Sequence, residues 1–167
     1  VKPFPLGLES PGARLRSVTT NRSAARLMGI IAEHHFRGFG RYQARDVTGD
    51  GKPETFCNLF AQDVSEAMGV ELPRNTRAND LASWLPSLGK SFGWVEVSET
   101  VAQLAADRGE LAVAITVNPN GPGHIAVLQP SLGDLGTWIA QAGGTNFTRG
   151  SLAAGFGNLQ PRFFAHR

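Results

Sequence analysis

The chain has one cysteine, Cys57, and its setting favours reactivity. It falls near the start of the segment Thr55–Gly69, TFCNLFAQDVSEAMG, where Phe56, Leu59, Phe60, Val64 and Ala67 recur at helical spacing. Pro53 and Thr55 announce the helix and Gly69 stops it. Unpaired amides and the positive dipole end at a helix start favour a thiolate. A nearby imidazole would take the thiol proton and complete a nucleophile–base pair. Without a partner, Cys57 reads as a small buried hydrophobe on an apolar helix. His124 is the partner expected. It opens the apolar run HIAVLQ directly after Gly121-Pro122-Gly123, where a glycine lets another backbone or a substrate come close. A third group should orient the imidazole. Gln141 interrupts the apolar run of TWIAQAG and offers a neutral amide oxygen, and Asn146, five residues on, is the rival orienter.

The loop ahead of the cysteine carries a second pattern. Asp46, Thr48, Asp50 and Glu54 place side-chain oxygens where an EF-hand loop has its positions 1, 3, 5 and 9, with Gly51 at the turn and the Lys52 carbonyl at position 7. The last position falls on Cys57, which has no carboxylate to give. The expectation is an incomplete calcium site, against the plainer reading of a solvated Asp-Gly turn.

The elements that must hold these residues can be read from periodicity and punctuation. Residues 1–17, rich in proline, read as an extended arm, and residues 18–167 as a single domain. Thr20 or Asn21 can cap a helix that runs to about His35, with Ala24, Leu27, Met28, Ile31 and Ala32 on its buried side. A polar loop over 41–54 leads into the cysteine helix, and shorter helices are expected over 76–86 and 99–108. Strands are then expected over 111–117, 124–129 and 137–142, with a closing strand over 163–166. Helices first and an antiparallel meander afterwards make an α+β domain, with N-terminal helices packed on a small sheet.

The segments TFCNLFAQDV, GHIAVLQP and WIAQAGGTNF together resemble the papain-like NlpC/P60 and CHAP cysteine amidases over about residues 40–147. In those families a cysteine opens a helix, a histidine opens the second core strand after a glycine, and a polar residue on the third strand orients it. The order falls here on Cys57, His124 and Gln141. The chain departs from the NlpC/P60 pattern at the nucleophile, where Asp-Cys-Ser-Gly is typical and Phe56-Cys57-Asn58-Leu59 stands. It departs again at the third position, where a histidine or an acid is commoner than glutamine. The resemblance implies hydrolysis of amide bonds in peptidoglycan peptides through a thioester, with no organic cofactor. It also implies that a calcium loop can precede the cysteine, and that a tyrosine upstream, here Tyr42, helps frame the substrate. Alternatives are a non-catalytic wall-binding or calcium-regulated module of the same fold, and a cysteine-dependent transferase or deamidase.

Composition limits the remaining classes. The 167 residues are 41% hydrophobic and 18% charged, which suits one globular domain. A net charge of +2 with scattered Lys and Arg lacks the dense basic stripe of a nucleic-acid binder. No stretch has the length of a membrane span, and no signal peptide is visible after Val1. The expectation is a monomer acting on the cell wall after secretion or in the periplasm, with an immunity or inhibitor protein as partner if it is a toxin.

Overall fold

The computed structural model describes residues 21–167, so the arm read over residues 1–17 and the cap candidate Thr20 lie outside it. Helix α1 (Ala24–Arg37) is capped by Ser23, whose hydroxyl accepts from the Arg26 amide. A serine oxygen on the third helical amide satisfies a donor the helix leaves unpaired. Asn21, the expected cap, instead takes a left-handed backbone with φ 65°. Helix α2 (Phe39–Tyr42) replaces the beginning of the expected loop. Helix α3 (Cys57–Ala67) starts on the cysteine itself and buries Phe60, Ala61 and Val64. Helices α4 (Ala78–Trp84) and α5 (Glu99–Asp107) fall inside the ranges read from the sequence.

The sheet has six antiparallel strands, in the order β1-β6-β2-β3-β4-β5. Strands β2 (Ala112–Thr116), β3 (His124–Leu128) and β4 (Trp138–Gln141) are the expected meander. Strand β5 (Phe147–Ser151) continues it, and β6 (Arg162–His166) closes on the other side of β2. Two elements break the helices-then-strands order: β1 (Trp94–Val97), set among the helices, and α6 (Leu152–Phe156), between β5 and β6. Every residue of β2 is buried. Successive side chains on a strand point to opposite faces, so the sheet centre is covered on both. Helices α3, α4 and α5 all pack against the central strands β2 and β3 or the neighbouring β6. The architecture is α+β, and the contact of α3 with β3 brings the cysteine helix against the histidine strand.

Candidate active site

Cys57 is the first residue of α3, and the residue before it, Phe56, makes no side-chain cap. The helix therefore begins without a capping oxygen for its first amides. The sulfur lies beneath the surface, with the residue 3% exposed. Burial pushes the thiol pKa up, while the amides of Ile125, Asn58 and Cys57 itself pull it down by less. The expected thiolate is thus not the resting state, because desolvation outweighs the helix end. The Ile125 amide belongs to β3, so that strand reaches the sulfur directly.

His124, one residue earlier, begins β3 opposite Thr116 of β2. Its Nε2 lies 2.7 Å from Gln141 Oε1. The Gln141 Nε2 donates to the Thr145 carbonyl at 3.0 Å, so the amide nitrogen is committed and the oxygen faces the ring. An amide oxygen only accepts, so the ring carries its hydrogen on Nε2 and keeps a lone pair on Nδ1. The ring also packs on Phe156 of α6, centroids 4.8 Å apart. Burial lowers the His124 pKa, and the Gln141 bond offsets part of that. Thiol and imidazole are accordingly both neutral at rest. They are not hydrogen-bonded to each other: the polar neighbours of the sulfur are backbone amides, and that of the ring is Gln141.

The rival orienter, Asn146, makes no hydrogen bond to the ring. Its Oδ1 accepts from the Gly143 amide at 2.8 Å, and its Nδ2 donates to the Tyr42 carbonyl at 3.1 Å. Tyr42, expected to frame a substrate, is 2% exposed. Its hydroxyl donates to Asp63 at 2.6 Å, and burial followed by that carboxylate holds the phenol well above its usual range. Tyr42 therefore presents no side-chain surface to a ligand and acts on the frame of the site. Arg41 and Arg74 pair with the same carboxylate at 2.8 and 2.7 Å. Burial opposes ionisation of Asp63, yet its hydrogen bonds from Arg41, Tyr42 and Arg74 win and hold its carboxyl low.

In the loop ahead of α3, one oxygen from each of Asp46, Asp50 and Glu54 lies within 4.8 Å of the others. Asp46 accepts from the Gly49 and Gly51 amides, Asp50 from Lys52, and Glu54 from Val47. The Thr48 hydroxyl also bonds Glu54, and the Val47 and Thr48 bonds lower the Glu54 pKa. Three hard, clustered anionic oxygens of this kind could hold a metal ion. The Arg45 and Glu54 backbones pair with each other and close the base of the loop.

Two functional supports escaped the sequence reading. Asn79 of α4 donates to the Asn118 and Gly121 carbonyls and accepts from the Asn118 amide, which braces the turn that delivers His124. Gly123 is needed there for the close approach of its neighbours: a Cβ would meet the Asn79 side chain and come within 2.6 Å of the Thr116 carbonyl. Gly155 of α6 is the second support: a Cβ there would lie 2.5 Å from Gln141 Oε1. Neither residue carries a sequence signal, since both act through distant contacts. No family model matches the sequence, and no curated protein is significantly similar to it.

Proposed function

We propose that this protein is a papain-like cysteine amidase that cleaves amide bonds in peptidoglycan peptides. The observation that carries the reading is the 2.7 Å bond from His124 to Gln141, with His124 on the strand that packs against the N-terminus of the cysteine helix. Attack starts from a neutral pair. His124 Nδ1 takes the Sγ proton as the sulfur adds to the amide carbonyl. The oxyanion forms by the Cys57 amide at the open helix start. The ring, now protonated, gives its proton to the leaving amine, and the acyl group remains on sulfur as a thioester. Water then adds, with His124 again taking the proton, and the acid leaves as the thiol is restored. Gln141 holds Nε2–H throughout, so the base is always Nδ1. The sulfur–imidazole contact would tighten when substrate binds, as such contacts commonly do.

The carboxylates of Asp46, Asp50 and Glu54 suit calcium, a hard cation that takes oxygen ligands; the Thr48 hydroxyl and the Lys52 carbonyl are further candidates. Bound there, the cation would neutralise the loop that leads into α3. The site of action would be the cell wall, reached by secretion or from the periplasm, by a monomer that an inhibitor protein could control.

One observation favours a second reading. A sulfur on a residue only 3% exposed, with its thiol pKa raised, also suits a spectator thiol in a non-catalytic wall-binding module. Digestion of purified peptidoglycan separates the two. The amidase releases peptide fragments with new amine and carboxyl ends, identified by mass, and Cys57→Ala stops their release. A folded wild-type protein that binds the polymer without releasing fragments would refute the amidase.

A further inference from the structure

We propose that Asn146 is a positioning residue: it clamps the β4–β5 loop so that the Thr145 carbonyl decides which end of the Gln141 amide meets His124, and hence which ring nitrogen carries the proton. The catalytic consequence rests on the amidase reading, but the clamp itself does not.

An isolated glutamine amide can turn end over end. With its nitrogen toward the ring, Gln141 would donate, and the imidazole would have to place its hydrogen on Nδ1. That tautomer leaves no lone pair for the sulfur. The Thr145 carbonyl prevents the turn, because it accepts from Gln141 Nε2 at 3.0 Å. Thr145 itself lies in an exposed loop. Two bonds from the Asn146 side chain tie that loop down, one inward to the Gly143 amide at 2.8 Å and one outward to the Tyr42 carbonyl at 3.1 Å. Gly143 borders the ring, since a Cβ there would stand 3.4 Å from His124 Cε1. The outer bond anchors the loop to the scaffold, because the Tyr42 hydroxyl is bound to Asp63 on the cysteine helix. On its other side Asn146 borders a surface groove shared with His35 and Phe147, so that side leaves the loop open to solvent. Asn146 thus links the orienting amide to the helix that carries the nucleophile.

The test reads the tautomer directly. Protein labelled with nitrogen-15 in its histidines gives long-range correlations that distinguish Nε2–H from Nδ1–H, recorded at about pH 8, where an imidazole is neutral. His124 is assigned by the signal lost in His124→Gln. The wild type should show Nε2–H alone. Asn146→Ala should show a mixture, and kcat should fall about tenfold with KM nearly unchanged. Asn146→Asp keeps the acceptor for Gly143 but sets a carboxylate oxygen against the Tyr42 carbonyl, so it should release the outer tie and show the mixture as well. It also decides the matter if Asn146→Ala fails to fold. An unchanged, single Nε2–H tautomer in the folded variants would overturn the proposal, as would Nδ1–H in the wild type. If peptidoglycan is not cleaved at all, the amidase reading falls, while the tautomer spectra still judge the clamp.

Discussion

Replacing Gln141 by alanine removes two hydrogen bonds from a side chain that is 3% exposed. Each bond leaves a partner behind: the Nε2–H of His124 and the carbonyl of Thr145. An unpaired buried group costs about 1–3 kcal/mol, so the variant should unfold at a clearly lower temperature, and rates must be taken well below it. The ring would then be free to rotate and to change tautomer. An orienting bond is worth roughly 1–3 kcal/mol, which converts to about a tenfold to hundredfold loss in kcat. The assay is the initial rate of fragment release from purified peptidoglycan, beside Cys57→Ala as the inactive reference. Gln141→Glu supplies the opposite perturbation. An ionised carboxylate at 2.7 Å would stabilise the imidazolium, so the acid limb of the rate profile should move to higher pH. The same carboxylate would also face the Thr145 carbonyl with nothing to donate, so the variant should be less stable at neutral pH than in mild acid. The reasoning fails if Gln141→Ala keeps its rate to within about twofold, or if Gln141→Glu leaves the acid limb in place.

Further outcomes follow from the same contacts. His35, His124 and His166 all have pKa values lowered from 6.5, each chiefly by burial. The unfolded chain therefore binds more protons than the fold just below that value, and stability should fall as pH drops through about 6.5 and below, while it stays level above; thermal melts across this range check it, and a melting temperature constant down to pH 5 would contradict it. Gly155→Ala would set a methyl 2.5 Å from both Gln141 Oε1 and the buried Ile139 Cδ1, so both the rate and the melting temperature should fall; an unaltered rate would show that the amide has room to move. Millimolar calcium should bind with measurable heat and raise the melting temperature, an effect lost in Asp46→Asn with Asp50→Asn; no heat and no shift would reduce the loop to a turn.

What the sequence revealed, and what it hid, divides along the range of the interactions. The cysteine helix, the central strands and the candidacy of Gln141 were legible because apolar periodicity and a polar residue in an apolar run are local signals. The choice between Gln141 and Asn146 was not legible, because it turns on which side chain a loop directs at the ring. Ser23 was passed over as a cap in favour of Thr20 or Asn21, since all three residue types can accept from a helix amide and only geometry separates them. Strand β1 was missed because Trp94–Val97 is short and half exposed, and its partner β6 lies far along the chain. The expected thiolate failed for a similar reason: the helix end is a local feature, whereas the burial that overrides it is assembled from β3 and the rest of the core.

The strand order bears on how the protein comes into being. Strand β6 sits between β1 and β2, although it is the last of the six along the sequence. While the chain emerges from a ribosome, β1 and β2 must wait with open backbone edges until residues 162–166 arrive to join them. Pairings of such long sequence separation form slowly, and unpaired edges expose a nascent chain to aggregation. The helix that bears Cys57 is made long before that moment. Its own main contacts are with α1, α2, β3 and β4, so the cysteine helix has its packing partners before β6 closes the sheet.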